Sequence, residues 1–271
     1  MDIWSSSVHD VDTPRAIPGA QAIARAALLL RLVSAAGVEG LTVSALARQS
    51  ALTRPTTHRL LSALRKEGLV DQDEARGTWT PGPELYLMGA AAAARYDVTA
   101  VARDIVRSLA VRTEESAFLS VRRGDETVCL LREEGSFPIR SFVLSEGIRF
   151  PLGVASAGLA ILSFLPAHDM DDYLDRHPEL PDRWGAAHAP HDVRRRVRET
   201  QLRGYAVNPG LIVEGSFGLG AAVFNRDGQP QWALSLTGVQ FRFGPDRLPE
   251  LGRTLLAHAH QLTTRIAAAR S

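Results

Sequence analysis

Hydrophobic residues recur at helical spacing in three successive stretches between residues 20 and 67. Residues 20–35 carry an unusually wide apolar face, which indicates a helix partly covered by a second subunit, although a deeply buried helix would show the same pattern. A tight turn at residues 50–52 separates the two shorter stretches. The inward positions of the last stretch follow the i, i+3, i+4, i+7 spacing and are Thr57, Leu60, Leu61 and Leu64. The pattern therefore predicts a helix followed by a helix-turn-helix.

The last of these helices is predicted to begin after Thr53, a good N-cap, with Pro55 in its first turn and an end at Gly68. Its face opposite the leucines is polar and basic. Such a face suits the DNA major groove, where Arg can bond guanine and hydroxyls and cations can reach bases or phosphates. The candidate DNA-binding residues are Arg54, Pro55, Thr56, Thr57, His58, Arg59, Ser62, Lys66 and, in the segment that follows, Arg76.

A β-hairpin is predicted directly after this helix, because short β-prone runs flank the polar turn at residues 71–77. Residues 21–66 contain seven Lys or Arg and one Glu, so this segment carries a charge of +6 in a chain of net charge +1. An amphipathic helix with a charged outer face occurs in proteins of every function. Helix, turn, helix and wing in this order, on a basic segment, predict binding to double-stranded DNA.

Beyond residue 82 the chain predicts a second domain of a different class. Helical patterns cover 84–96 and 98–112, and alternating strands with a tight turn follow at 117–121 and 127–131. Further strands are predicted at 140–144, 148–152, 206–213, 217–224 and 231–237, and further helices at 156–165, 190–203 and 245–269. Because strands and helices do not alternate regularly, the pattern predicts an α+β fold on an antiparallel sheet.

Composition narrows the class of protein. A chain of 271 residues with 45% hydrophobic and 23% charged residues can hold two ordinary domains. The single Cys129 excludes an internal disulfide and a multi-cysteine zinc site. Without a basic-then-apolar leader or an apolar run of ~18 residues, we expect a cytoplasmic protein that does not enter the membrane. Residues 1–19 lack periodicity and are predicted to form a mobile arm.

Residues 20–265 resemble the IclR-type bacterial transcriptional regulators, and three segments carry the resemblance: 52–70, 150–165 and 204–238. The resemblance implies a winged helix-turn-helix at 20–82, a linker helix at 83–96 and a GAF-like effector-binding and oligomerisation domain at 97–271. It also implies a homodimer or dimer of dimers, a roughly palindromic operator, a small-molecule effector and no cofactor. The subunit contacts are expected on the apolar face that includes Leu29 and Leu32, and on the side of the linker helix that carries Leu85, Met88 and Ala92.

The same resemblance implies an effector site in the second domain. Its residues would be Gly153, Val154, Ala155, Ser156, Ala157, Asn208, Phe217, Gly218, Ser235 and Thr237. Backbone amides that open a helix near Ser156 would attract a carboxylate, and the helix dipole would add to them. Many members carry Cys where this chain has Gly218, so the pocket is expected to be larger. With Phe150 and Phe217 nearby, this favours a bulkier acid, aromatic in kind, or a related amide.

Three other patterns have ordinary explanations. The glycine-rich 215–220 segment precedes a strand, which favours a turn over a phosphate loop. His188 and His191 beside Asp192 match no standard metal spacing and are predicted to be solvated surface residues, so no metal is expected. Ser156 lacks the G-x-S-x-G context of a hydrolase nucleophile, so no catalytic residue is predicted.

The sequence thus predicts a ligand-responsive DNA-binding regulator rather than an enzyme, acting as a repressor of a catabolic operon. Two alternatives stay open at this point. One is a constitutive DNA-binding protein whose second domain only oligomerises. The other is a small-molecule enzyme fused to a DNA-binding module.

Overall fold

The computed structural model describes residues 19–93, 98–139, 141 and 143–268. They divide into two compact units, one within residues 19–93 and one within residues 98–268. The predicted arm lies outside the described residues except for Gly19, as do residues 94–96 of the predicted linker. No helix in the described parts of the chain is long and apolar enough to cross a membrane.

The first unit is a winged helix-turn-helix. Its elements are α1 (Gln21–Ala35), β1 (Leu41–Thr42), α2 (Val43–Gln49), α3 (Arg54–Lys66), β2 (Val70–Asp73), β3 (Thr78–Pro81) and α4 (Pro83–Ala93). The strands form an antiparallel sheet in the order β1-β3-β2, so the predicted wing is confirmed. β1 was not predicted, because a two-residue strand leaves no alternating pattern to detect.

The core of this unit gathers one side of each element around Trp79, which is 2% exposed. From α1 it takes Leu29 and Val33, both fully buried. The expectation that Leu29 lies in a subunit contact was therefore wrong, because Leu29 packs inside its own domain. The outer part of the wide apolar face remains uncovered within this chain, as the 73% exposure of Ile23 shows.

Most side chains of helix α4 are exposed. Its large apolar side chains Tyr86, Leu87 and Met88 are 77%, 56% and 56% exposed. Leu85 is half-buried and Ala92 is exposed. Helix α4 therefore exposes an apolar surface, whose contact with water contributes no stability.

The second unit is built on a six-stranded antiparallel sheet. Its strands are β4 (Ser116–Arg123), β5 (Glu126–Glu133), β6 (Arg149–Pro151), β7 (Ala206–Asn208), β8 (Ser216–Phe224) and β9 (Pro230–Val239), in the order β6-β5-β4-β9-β8-β7. Its helices are α5 (Val98–Thr113), α6 (Ser156–Ser163), α7 (Ala167–Arg176), α8 (Leu180–Trp184), α9 (Pro190–Arg203) and α10 (Leu248–Ala268).

Helices cover both faces of this sheet. One core lies between the sheet and α5 with α10, and the other lies on the α6 and α9 side. Neighbouring residues of β8 therefore belong to different layers. A Cβ atom on Gly220 would stand 2.3 Å from the carbonyl oxygen of Ser156, so only glycine there lets α6 approach the sheet this closely.

Several predicted boundaries differ from the structure. β7 ends at Asn208 instead of residue 213, and α6 ends at Ser163. Of the predicted strand at 140–144, residues 140 and 142 lie outside the described residues, and their described neighbours form no strand. Helices α7 and α8 were not predicted, because α7 buries few apolar side chains, chiefly Tyr173 and Leu174, among many charges.

Candidate functional site

The outward face of α3 is the candidate DNA-binding surface. Thr53 caps the helix, its side chain accepting a hydrogen bond from the Thr56 amide at 3.4 Å, and Pro55 lies in the first turn. Leu61 and Leu64 are buried beneath. The residues exposed on the opposite side are Arg54, Pro55, His58, Arg59, Ser62 and Lys66. This local order follows from the cap, the proline and the leucine spacing that the sequence displays.

Two threonines of the predicted set face different surroundings. Thr57 is fully buried, and its hydroxyl donates a 3.0 Å hydrogen bond to the carbonyl oxygen of Thr53. It cannot reach DNA, so its inclusion in the contact set was wrong. Its spacing with the leucines already indicated the inward position. Thr56 is half-buried, and its hydroxyl accepts a 2.9 Å hydrogen bond from the Thr53 side chain.

The cations of this surface differ in whether they already have partners. Arg76 in the wing lies 3.6 Å from the Glu39 carboxylate and 3.8 Å from that of Asp73, and all three side chains are well exposed. Arg65 pairs with Glu74 at 3.3 Å. Within the described residues, no carboxylate oxygen lies within 4.0 Å of Arg54, Arg59 or Lys66. These three cations are available for phosphates or bases.

The second unit contains a small, partly open cavity beside the start of α6. Its lining residues are Val143, Leu144, Phe150, Ala155, Ser156, Ala157, Asn208, Gly210, Ile212, Val213, Ser216, Gly218, Ser235 and Thr237. Seven of the ten predicted effector residues are among them: Ala155, Ser156, Ala157, Asn208, Gly218, Ser235 and Thr237. Their role in effector binding stays a prediction.

The start of α6 presents unpaired backbone amides to this cavity. No side chain caps the helix at Ala155, and the Leu159 amide makes the first bond of the helical ladder, to the Ala155 carbonyl at 2.9 Å. The amides of Ser156, Ala157 and Gly158 precede that bond and have no acceptor inside the helix. Since Ser156 and Ala157 line the cavity, this end of it attracts negative charge.

Hydroxyl groups extend the polar end of the cavity. The Ser235 Oγ is buried and has no hydrogen-bond partner among the described residues. Thr237 follows two positions later on the same face of β9. The Ser216 Oγ is bonded to the Ser141 Oγ at 2.8 Å. A buried hydroxyl without a hydrogen-bond partner destabilises the folded protein. A ligand that forms a hydrogen bond with Ser235 Oγ would remove this cost and gain affinity from it.

Apolar side chains complete the lining, among them Leu144, Phe150, Ile212 and Val213. No charged side chain occurs among the described residues of the lining. An anion would therefore be held by backbone and hydroxyl dipoles, with its hydrocarbon part against the apolar wall. The arrangement suits a ligand with one polar head and an apolar body.

Three of the predicted effector residues, Gly153, Val154 and Phe217, do not line this cavity. Phe217 points to the other face of the sheet, where it stacks on Phe243 with ring centres 5.0 Å apart. Gly153 and Val154 lie behind the cavity wall, and the Val154 amide is already bonded to the Pro151 carbonyl at 3.2 Å. Strand alternation from Gly218 could have excluded Phe217, since adjacent residues of a strand face opposite ways.

Asn208 lines the cavity, but its polar atoms are committed. Its Nδ2 donates to the Val154 carbonyl at 2.8 Å, and its Oδ1 accepts from the Leu211 amide at 2.9 Å. Asn208 therefore shapes the cavity wall and has little left to offer a ligand.

The histidine prediction was right for His191 and wrong for His188. His191 is exposed beside Asp192, at 2.9 Å. His188 is fully buried, and neither ring nitrogen has a hydrogen-bond partner among the described residues. Burial, and next the charge of Arg196, lower the pKa of His188. No group of three or more His, Cys, Asp or Glu suitable for a metal occurs within the described residues.

Arg196 is a residue that the sequence reasoning missed. It is only 6% exposed, and its Nη2 donates to the carbonyls of Gly153 at 3.2 Å and Ala187 at 3.1 Å. Its position on the helix gave one signal, because Val193, Val197 and Thr200 share its side of α9 and are buried.

A winged helix with an exposed basic helix, together with a second unit that has a partly open cavity at a helix start, is the arrangement of a ligand-responsive DNA-binding regulator. Two family models match the chain. One is the IclR helix-turn-helix domain, over residues 22–74, and the other is the bacterial transcriptional regulator IclR C-terminal domain, over residues 90–264. The chain belongs to the IclR family of bacterial transcriptional regulators.

Characterised relatives agree with this assignment. The chain is 26% identical over 226 residues to the HTH-type transcriptional regulator KipR of Bacillus subtilis, covering 83% of this chain and 90% of KipR. It is 27% identical over 261 residues to the HTH-type transcriptional repressor AllR of Klebsiella pneumoniae, covering 93% and 92%. These relatives are regulators of transcription and not enzymes.

A solved structure has the same fold. An IclR homolog from Microbacterium hydrocarbonoxydans, complexed with 4-hydroxybenzoate, superposes with a TM-score of 0.71 at 20% identity, covering 92% of this chain and 100% of that one. The protein is accordingly a transcriptional regulator with a DNA-binding helix-turn-helix and a C-terminal effector-binding domain.

Proposed function

We propose that the protein represses a catabolic operon and is released from DNA by a small organic acid, aromatic in kind, or by the related amide. The observation that carries this proposal is the uncapped start of α6, whose amides open into a cavity that also holds the unpartnered Ser235 hydroxyl. The repressor AllR and the 4-hydroxybenzoate complex of the Microbacterium homolog support the sign of regulation and the ligand class.

The proposed effector is a ring rather than a short chain, because Phe150 is among the lining residues. The carboxylate or amide oxygen of the ligand would accept hydrogen bonds from the backbone amides of Ser156 and Ala157. The hydroxyl groups of Ser235 and Thr237 would complete the polar contacts. Gly218 contributes no side chain, and a Cβ atom there would stand 3.1 Å from the Ser156 Oγ. The Ser156 side chain therefore lies close against Gly218, so the missing side chain leaves little extra space there, and Phe150 offers an aromatic side chain to the lining.

On DNA, α3 enters the major groove and the wing contacts the backbone. Arg59 and His58 lie on the outward face and are assigned to bases, with Ser62 beside them. Arg54, Lys66 and the wing residue Arg76 are assigned to phosphates. Base contacts then set the operator sequence, and phosphate contacts set most of the affinity.

The assembly is a homodimer or a dimer of dimers. The exposed apolar residues of α4 and Ile23 on α1 are the surfaces to be covered between subunits. A two-fold axis would make the operator roughly palindromic. We take residues 20–82 as the DNA-binding domain, 83–96 as the linker and 97–271 as the effector and oligomerisation domain. We place the protein in the cytoplasm, where it has access to the chromosome.

The effector acts by biasing two arrangements of the dimer through the linker. Linkage makes the effect reciprocal: if the ligand lowers DNA affinity tenfold, DNA lowers ligand affinity tenfold, which corresponds to about 1.4 kcal/mol of coupling. This symmetry distinguishes a regulator from a protein whose two domains act independently.

The test is a thermal-shift screen of the full chain over aromatic and aliphatic acids and their amides, followed by DNA-binding titrations at fixed salt. A ligand at 100 times its dissociation constant adds about 2.7 kcal/mol of stability. We expect the hit to weaken operator binding and to be recovered unchanged. Consumption of the ligand would indicate an enzyme. Unaltered DNA binding in the presence of every stabilising ligand would indicate a constitutive binder, and either result overturns the proposal.

A further inference from the structure

Behind the wall of the effector cavity, the guanidinium of Arg196 is buried without a counter-ion. The side chain is 6% exposed. The nearby carboxylates of Asp192 and Glu199 are paired with Arg195 instead, and no carboxylate oxygen of the described residues lies within 4.0 Å of Arg196. Burial, and next the charge of Arg195, lower the pKa of Arg196 to about 10, so the group is still protonated at neutral pH. Burying a charge without a counter-ion destabilises the folded state, so a buried arginine of this kind indicates a role beyond packing.

The hydrogen bonds of Arg196 tie it to the turn that leads into α6. Its Nη2 donates to the Gly153 carbonyl at 3.2 Å and to the Ala187 carbonyl at 3.1 Å, while Nε and Nη1 have no partner among the described residues. The next carbonyl of the turn, that of Val154, accepts from Asn208. Arg196 does not line the cavity. The turn is therefore held from outside the cavity by a cation that a ligand does not touch.

We propose that Arg196 is the positioning and specificity-determining residue of the effector site: it fixes the turn before α6 and supplies, from behind that turn, the positive charge that favours an anionic effector. This inference rests on the proposed function of the cavity. It explains how a cavity lined by dipoles can prefer a carboxylate although no charged side chain occurs among its described lining residues.

The expected size of the effect follows from distance. Ser156 lies three positions after Gly153 in the chain, so their Cα atoms are at most ~10 Å apart. A unit charge at roughly 10 Å, in surroundings with an effective dielectric of about 20, changes the affinity for an anion by about tenfold. A neutral ligand of the same shape feels little of this charge. A purely structural role would weaken both ligands alike.

The test compares 4-hydroxybenzoate with 4-hydroxybenzamide, an anion and a neutral molecule built on the same ring. Titration calorimetry on the full chain uses Arg196→Met, Arg196→Lys and, as matched control, Arg195→Met, which removes the same charge from the exposed side of the same helix. We expect Arg196→Met to weaken the acid by about tenfold, or about 1.4 kcal/mol, and the amide less than about twofold. Arg196→Lys should keep the preference for the acid, and the control should change neither. Equal weakening of both ligands overturns the charge assignment.

A second measurement needs no ligand. Hydrogen exchange of the hydrogen-bonded amides of Val154 and Leu159 should become about tenfold faster in Arg196→Met and in Arg196→Lys, because methionine has no donor and the lysine ammonium ends one bond short of the position of Nη2. Unchanged exchange in the lysine variant overturns the positioning role even if the methionine variant fails to fold. If the wild-type chain binds neither probe, the aromatic effector proposed above is wrong and the charge assignment falls with it. The exchange result still decides whether Arg196 positions the turn.

Discussion

Asn208 on β7 donates a 2.8 Å hydrogen bond from its side-chain amide to the carbonyl oxygen of Val154, 54 residues earlier in the chain. The same side chain accepts from the Leu211 amide. One buried amide group thus joins the turn before α6 to the loop on the far side of the cavity. The shape of the cavity depends on both bonds at once.

Asn208→Asp is expected to damage the cavity without enlarging it. A carboxylate cannot donate to the Val154 carbonyl, and its charge would oppose an anionic effector. Leaving a buried carbonyl without its donor costs about 1–3 kcal/mol. Unfolding by urea and calorimetry with an acid ligand measure the two effects. Asn208→Asp with wild-type stability would show that the bond to Val154 contributes nothing.

The glycines of β8 are expected to respond differently to substitution. Gly218→Ala places its methyl group 3.1 Å from the Ser156 Oγ, which can rotate away, whereas Gly220→Ala places it 2.3 Å from a backbone carbonyl that cannot. Overpacking of this kind costs about 1–3 kcal/mol. Thermal unfolding should therefore show a loss only for Gly220→Ala.

Gly218→Leu should displace the Ser156 side chain and crowd the cavity, abolish the ligand response and leave DNA binding unchanged. Gel-shift titrations with and without ligand measure both properties. A Gly218→Leu protein that responds to ligand with unaltered affinity would move the effector site elsewhere.

Arg59→Ala and His58→Ala are expected to weaken specific DNA binding while the fold persists. Both residues are exposed on the face opposite the leucine core, and one base contact is worth about 1–3 kcal/mol. Gel-shift titration at fixed salt measures the loss. Arg65→Ala is the matched control, because Arg65 is already paired with Glu74 within its own domain. An unchanged operator affinity in either variant removes that residue from the contact set.

Leu87→Glu combined with Met88→Glu should dissociate the protein into monomers. Both side chains are 56% exposed within one subunit, so charges there disturb no internal packing. Light scattering at micromolar concentration measures the mass. Leu29→Glu is the contrasting variant, which should unfold the first domain because Leu29 is fully buried. A wild-type protein that is already monomeric would contradict the assembly.

His188 should make the protein lose stability in mild acid. Burial, with a smaller contribution from Arg196, lowers its pKa below the ordinary value of 6.5. Below pH 6.5 His188 is protonated in the unfolded chain but stays neutral in the folded protein until the pH falls further. The stabilisation is therefore complete above pH 6.5 and is lost as the pH falls, by at most about 1.4 kcal/mol per pH unit.

His188→Leu should flatten this dependence in urea unfolding between about pH 7 and pH 5. The exposed His191→Leu serves as the control and should not. Carboxylates with lowered pKa values, such as Asp125, take part only at lower pH, near their ordinary value of 3.8. An unchanged slope in His188→Leu would mean that His188 is protonated without cost in the folded protein.

The sequence by itself determined the elements whose signals are local. The cap at Thr53, the proline at position 55 and the leucine spacing define α3, and the boundaries of α9 were predicted as the structure has them, Pro190 to Arg203. Tight turns with flanking alternation gave the wing and the β4–β5 hairpin. These features depend on residues a few positions apart, so they can be predicted from a single sequence.

Only the tertiary structure decided which residues meet across the chain. The wide apolar face of α1 could not show that Leu29 turns inward and Ile23 outward, because that choice depends on where α3 and β3 pack. His188 and Arg196 look like solvent residues of a polar segment, yet both are buried against the turn at 153–154, more than 30 residues away. Burial is a property of the folded neighbourhood and not of the residue type, and for that reason the charge behind the cavity could not be predicted from the sequence.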